Sequence, residues 1–91
     1  MKEFKAGMLA VSKAGHDKGR LYVVLGADQE FVYLADGRNR SVSSPKKKKR
    51  KHIQINYHIP GILKQTLEAE QKLEDEQIKK AIKEYKNQQE V

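Results

Sequence analysis

Two short stretches of the chain concentrate residues suited to binding phosphate. The first, AGHDKGR at residues 14–20, combines two glycines with a histidine, a lysine and an arginine. The second, SPKKKKRKH at residues 44–52, carries six consecutive cationic residues after a proline. Ammonium and guanidinium groups bind phosphate through charge-assisted hydrogen bonds. Both stretches therefore predict a surface that binds a polyanion.

In the first stretch, Gly15 and Gly19 can adopt backbone conformations closed to other residues and let a phosphate approach backbone N–H groups. Arg20 offers a planar fork suited to phosphate, and neighbouring lysines add charge. The alternative is a purely structural hairpin loop, in which Asp17 only caps the turn. The candidate binding residues are Lys13, Gly15, His16, Lys18, Gly19 and Arg20.

The second stretch is interpreted as an electrostatic clamp. If Ile53 and Ile55 face the core, a strand extended backward would also turn Lys47, Lys49 and Lys51 inward. Burying unpaired ammonium groups is prohibitive, so the tract is expected to leave the sheet as a loop or a protruding edge. A nuclear-import signal and a solubilising loop are the alternatives. The candidate residues are Lys46, Lys47, Lys48, Lys49, Arg50, Lys51 and His52.

The elements that position these stretches are predicted to be β-strands. Three apolar runs of strand length, bounded by turn residues, predict strands at 7–11, 21–25 and 31–35. A fourth strand is expected at 39–43, with Val42 pointing inward, and a fifth at 52–57, where polar and apolar residues alternate. Five short strands joined by tight turns favour a small closed barrel, because closure removes exposed edges.

The order of strand, AGHDKGR and a second strand beginning LYVV resembles the KOW motif. Proteins with this motif include large-subunit ribosomal proteins and transcription elongation factors, and they carry it on a five-stranded SH3-like barrel. The resemblance covers residues 7 to about 57, and it is closest to small RNA-binding proteins related to eukaryotic-type large-subunit ribosomal proteins. It implies that the loop contacts RNA, with ribosomal RNA as the expected partner, and that Gly19 matches the motif's hallmark glycine.

The basic excess lies in one part of the chain. Residues 1–59 contain 13 Lys or Arg against 5 Asp or Glu, a net charge of +8, whereas residues 60–91 contain 6 against 7, a net charge of −1. We therefore expect a mostly β domain at 1–59 and a C-terminal helical tail at 60–91.

The tail is predicted to form one long or bent helix. Its apolar side chains at 62–67 are expected to pack on the barrel, and the helix to bend or split near 73–77. Residues 78–85 carry a second apolar face, for which we expect a protein partner or a second copy of the chain. Favourable i,i+4 ion pairs are expected from Asp75 to Lys79 and from Glu76 to Lys80.

Aromatic side chains offer a further means of binding nucleic acid, because bases stack on them. The candidates Tyr22, Phe31, Tyr33 and Tyr57 all lie in apolar strands, so core packing is expected for at least two of them. Tyr22 and Tyr33 are expected on the outer face, and Tyr57 in the core.

Several classes of function are disfavoured. The chain has no cysteine, its three histidines lack metal-ligand spacing, and no catalytic constellation is present. We expect no enzyme activity, metal, cofactor or membrane segment, and a cytoplasmic location. The predicted function is RNA binding through phosphates, ribosome-associated or ribosomal in type. The alternatives are a protein-interaction module for a transcription or translation factor, and a DNA-binding protein.

Overall fold

The computed structural model describes residues 3–89. Five strands, one single-turn 3₁₀ helix and two α-helices make up this part of the chain. None of its helices combines the length and the apolar character needed to cross a membrane. In chain order the elements are β1 (Leu9–Ser12), β2 (Leu21–Ala27), β3 (Phe31–Ala35), β4 (Lys46–Lys49), the 3₁₀ helix (Arg50–His52), β5 (Ile53–Asn56), α1 (Gly61–Glu68) and α2 (Asp75–Gln89).

The strands form one antiparallel sheet in the order β4-β3-β2-β1-β5. The predicted number of strands and the β-then-α arrangement are confirmed. Within residues 3–89 the hydrogen-bonded ladder ends at β4 on one side and at β5 on the other. The strand pairing therefore shows an open five-stranded sheet, and it does not show the predicted closed barrel.

The prediction of a fourth strand at 39–43 is wrong, because that segment forms a turn. Asp36 Oδ1 accepts hydrogen bonds from the backbone N–H groups of Arg38 and Arg40, both at 2.9 Å, and Gly37 has a φ of +80°. The lysine tract forms the fourth strand instead, at the edge of the sheet next to β3. Charged lysines at an edge disfavour pairing with other chains.

The sheet buries apolar side chains on both of its faces. One face packs against both helices, and Leu9, Leu63 and Ile78 are fully buried in that cluster. Met8 and Ala10 of the first strand region belong to a second cluster, shared with residues of β2, β3 and β5. Alternate residues of one strand thus enter different clusters, as the period of two requires.

The tail is helical and interrupted, as predicted, but the break is longer and lies earlier. The helices α1 and α2 are separated by residues 69–74, where Glu70 has a φ of +58°. Leu63 is buried, which confirms that the first part of the tail packs on the sheet. Ile78 and Ala81 are also buried in the chain's own core, so the predicted partner-docking face at 78–85 is already covered.

Polar contacts fix α2 on the sheet at both ends of the helix. Val42, from the β3–β4 connection, donates its backbone N–H to Asp75 Oδ1 at 2.9 Å. Asn56 Nδ2 donates to the hydroxyl of Tyr85 at 2.9 Å. Lys79 pairs with Glu76 at 2.7 Å, instead of forming the predicted pair with Asp75, whose carboxylate accepts from Val42.

The β3–β4 turn approaches α2 closely at Gly37. A Cβ added to Gly37 would lie 2.5 Å from the carbonyl oxygen of Asp75, and its positive φ is strained for any L side chain. We expect Gly37→Ala to lower the free energy of unfolding by about 2 kcal/mol, measured by urea denaturation.

The control for Gly37→Ala is Gly61→Ala, at the first residue of α1. A Cβ at Gly61 would have open space around it, and alanine favours a helix over glycine. Gly61→Ala should leave stability unchanged or raise it. Equal stabilities of the two variants would contradict the tight approach of the turn to α2.

Candidate nucleic-acid interface

The β1–β2 loop is built around a buried carboxylate, Asp17. Tyr22 donates its hydroxyl to Asp17 Oδ2 at 2.8 Å, and Ser12 donates its hydroxyl to Oδ1 at 2.8 Å. Lys48 Nζ donates to Oδ1 at 2.6 Å, and Lys46 Nζ lies 3.3 Å from Oδ2. Asp17 thus does more than cap a turn, because it joins β1, β2 and β4.

The lysine tract divides into an inward and an outward pair. Lys46 and Lys48 stand opposite Leu34 and Val32 of β3, whose side chains are buried. Paired residues share a face of the sheet, and the side chains of Lys46 and Lys48 are accordingly only 27% and 11% exposed. Lys47 and Lys49 project outward.

The lysines that the structure turns inward are not those that the strand alternation indicated, and Lys47, Lys49 and Lys51 are exposed. A continuous strand up to Ile53 would have turned those three lysines inward, but the 3₁₀ helix interrupts the strand and shifts the alternation of side chains by one residue. The inward ammonium groups are also not unpaired, since Asp17 accepts from both. The tract does not leave the sheet as expected, because Lys46–Lys49 pair with β3 and form the edge strand of the sheet.

The contacts within this cluster shift the pKa values of both Asp17 and Tyr22. Burial by itself raises the pKa of the Asp17 carboxyl, but hydrogen bonds, above all from Lys48 and Tyr22, outweigh it and hold that pKa well below its usual range. Burial, together with the hydrogen bond to Asp17, raises the pKa of the Tyr22 hydroxyl to about 12. Asp17 is therefore a carboxylate at neutral pH and Tyr22 a neutral donor.

The backbone of the loop folds back on itself. Gly19 donates its N–H to the carbonyl of Ser12 at 2.8 Å, and Arg20 donates to the carbonyl of Asp17 at 2.9 Å. Gly15 and Gly19 have φ values of +84° and +88°, which confirms the predicted backbone conformations. The N–H groups of Gly15 and His16, both exposed, have no partner among the described residues.

The loop and the tract meet on one side of the molecule. Lys48 Nζ donates to the carbonyl of Ala14 at 2.7 Å, and Lys13 donates its N–H to the carbonyl of His52 at 2.8 Å. Two segments that lie about thirty residues apart are thus in direct contact. The predicted binding residues of the two segments that are exposed are Lys13, Gly15, His16, Lys18, Gly19, Arg20, Lys47, Lys49 and Lys51.

Two cations of the tract rest on aromatic rings. Lys47 Nζ lies 4.2 Å from the ring centroid of Phe31, and the guanidinium carbon of Arg50 lies 4.5 Å from that of Phe4. Arg50 also donates to the carbonyl of Asp28 at 3.0 Å. Half-buried Arg50 therefore has a structural function, as Lys46 and Lys48 do, whereas Lys47 is exposed as a residue.

A cleft of about 400 Å³ lies beside the Asp17 cluster, between the loop and the β3–β4 turn. Arg20 and Arg40 both line it. Arg40 and Asn39 were missed in the sequence because residues 39–43 were interpreted as a strand. The Asp36-Gly37 dipeptide just before them could have indicated their position, because such a dipeptide predicts a tight turn and not a strand. The full lining is His16, Asp17, Arg20, Tyr22, Asn39, Arg40 and Lys46.

The predicted aromatic positions are partly wrong. Tyr22 is only 2% exposed, because it faces the second core cluster and Asp17. Tyr57 is 54% exposed, although it was assigned to the core. It lies just beyond the end of β5 farthest from the loop, since Ile53 pairs with Ser12 at the loop end. Tyr33 is half-buried and donates its hydroxyl to Asp28 Oδ2 at 3.0 Å.

Comparison with known proteins adds no assignment, because no protein-family model and no curated protein matches the chain. In the part of the chain that the structure describes, His, Asp and Glu side chains form no group of three suited to a metal ion.

Proposed function

We propose that this protein binds RNA through its phosphates, using the β1–β2 loop and the outward side of β4. The observation that carries the proposal is the contact of Lys48 with Asp17 and Ala14, at 2.6 and 2.7 Å. It holds the two cationic segments together, and both segments carry exposed cations. A protein needs several such cations to displace counterions from a polyanion.

The only carboxylate of the loop takes no part in this outer surface. Asp17 is buried and is satisfied by Ser12, Tyr22, Lys46 and Lys48. The loop cations Lys13, Lys18 and Arg20 are therefore not neutralised by it. The surface contributes charge and position, whereas base contacts would have to specify sequence.

We infer that the five-stranded sheet is of the SH3-like barrel type found with KOW motifs, on the strength of AGHDKGR between β1 and β2. The position of Gly19, with a φ of +88° at the end of that loop, supports this reading. The proposed target is structured RNA, in particular ribosomal RNA, in the cytoplasm.

The direct test measures binding of the full chain to an RNA hairpin and to a DNA duplex of the same sequence at several salt concentrations. We expect tighter binding to RNA and a log–log salt slope of at least about 4.2 to 5.4 in magnitude, which corresponds to roughly one phosphate, at 0.7 to 0.9, for each exposed cation of the loop and the tract. Equal affinity for both duplexes would favour a DNA-binding protein. No binding at low salt would contradict the proposal.

The cellular test identifies the target. Tagged protein is isolated at low salt after crosslinking, and the attached RNA is sequenced. Discrete crosslinks in ribosomal RNA would support a ribosomal target. RNA recovery no higher than a mock control, together with a co-purifying protein, would favour a protein-interaction module.

A further inference from the structure

A second cationic cleft, of about 510 Å³, lies on the other side of the β3–β4 turn. Arg38 lines it from the turn, and Lys79, Lys83 and Lys86 line it from α2. These three lysines follow the i, i+4, i+7 spacing that places side chains on one face of a helix. Ile82 lies among them, also lines the cleft, and is 8% exposed in the core. The lysine row is therefore held in place by packing.

The acidic groups near this cleft are already engaged. Glu76 pairs with Lys79 at 2.7 Å, and Asp75 accepts the backbone N–H of Val42. Asp36 accepts two backbone N–H groups of its own turn. Lys83 and Lys86 are exposed and pair with no described carboxylate.

The two clefts share the turn that separates them. Arg38 lines the cleft beside α2, whereas the next two residues, Asn39 and Arg40, line the cleft beside the Asp17 cluster. Gly37 allows this arrangement, because a Cβ there would lie 2.7 Å from Cγ of Lys79. The cationic surface thus continues from the loop, across the turn, onto the helix.

We propose that α2 is a second arm of the RNA-binding surface, contacting a structured RNA that also reaches the β1–β2 loop. The inference rests on the proposed function and extends it to the tail. The sequence predicted a protein partner or a second copy of the chain for this segment, because of its apolar face. Although the net charge of the tail is negative, the three lysines on one face of α2 favour RNA instead. The apolar face of the same helix serves the core, and its cationic face is the one available for binding.

The test compares two matched double variants of the full chain. Lys83→Gln with Lys86→Gln removes two charges from the cleft, and Lys64→Gln with Lys80→Gln removes two exposed charges outside it. Binding is measured on an RNA hairpin of about 20 base pairs, longer than the roughly 16 base pairs that a double-stranded-RNA-binding domain covers. Arg38→Gln serves as a second, independent variant in the turn.

We expect the cleft variant to reduce the magnitude of the salt slope by about 1.4 to 1.8, and the control variant to leave it unchanged. Arg38→Gln should reduce the slope by about 0.7 to 0.9. Far-UV circular dichroism checks that each variant is folded.

Three outcomes would overturn the inference, and they can be told apart. If the wild-type protein shows no salt-dependent RNA binding, the proposed function fails together with its extension. If the wild-type protein binds, and loop variants weaken binding while the cleft and control variants behave alike, only the assignment of α2 fails. Loss of a co-purifying protein from the cleft variant, with an unchanged RNA slope, would likewise assign the row to a protein partner.

Discussion

Asp17→Asn is expected to lower the free energy of unfolding at pH 7 by about 3 kcal/mol, because it leaves the largely buried Lys48 ammonium group without a counter-charge. Asparagine keeps the size of the side chain, so the loss reports charge and hydrogen bonding. Total stabilities of small domains are about 5 to 15 kcal/mol, which makes this a large fraction. Far-UV circular dichroism during urea denaturation measures it.

Asp28→Asn is the matched control. Asp28 also accepts a tyrosine hydroxyl, from Tyr33 at 3.0 Å, and two backbone N–H groups, but it is exposed. Its backbone hydrogen bonds lower the pKa of its carboxyl, yet water solvates the charge, so its replacement should cost much less. Equal losses for the two variants would contradict a special function of the buried cluster.

The pH dependence of this difference follows from the lowered pKa of Asp17. In the unfolded chain the carboxyl titrates near its ordinary value of 3.8, and in the folded protein well below it. The unfolded state therefore binds the proton first, and the stabilisation is complete above that ordinary value and declines as the pH falls further. The stability gap between wild type and Asp17→Asn should narrow below about pH 4, by at most about 1.4 kcal/mol per pH unit.

The sequence predicted four of the five strands because their signals are local. β2 and β3 are runs of β-branched and aromatic residues, and Asp28 and Asp36 begin the turns after them. β4 has no such signal. Four lysines have low strand propensity, and their extended form depends on pairing with β3, whose register is a property of the whole sheet.

The sequence predicted the two stretches of the candidate site, but not the contact of Asp17 with Lys46 and Lys48 that joins them. Nothing local marks Asp17 as buried, because its partners Lys46 and Lys48 lie about thirty residues further along the chain. The three residues of the 3₁₀ helix also invert the alternation that sequence parity assumed. Because of this single interruption, the lysines that parity would place inward are exposed, and the lysines that it would place outward contact Asp17.

Because the lysines of the tract alternate between exposed and inward positions, we expect the exposed ones to affect RNA binding and the inward ones to affect stability. Lys47, Lys49 and Lys51 are exposed, so changing all three to Gln should remove about three phosphate contacts. The RNA affinity should fall on the order of 100-fold near 0.15 M salt, with a slope smaller in magnitude by about 2.1 to 2.7. The free energy of unfolding should fall by no more than about 1 kcal/mol, because the main loss is the exposed contact of Lys47 with Phe31.

Lys48→Gln should show the reverse behaviour, since Lys48 is only 11% exposed and is bonded to Asp17 and Ala14. Stability should fall by about 3 kcal/mol, while the salt slope of the protein that remains folded changes little. Changing Lys64, Lys72 and Lys80 to Gln removes the same charge as the triple variant from elsewhere on the surface, and it should leave both properties near wild type. A triple control that weakens binding as much as the tract variant would mean that net charge, and not the placement of these lysines on the outward side of β4, determines the affinity.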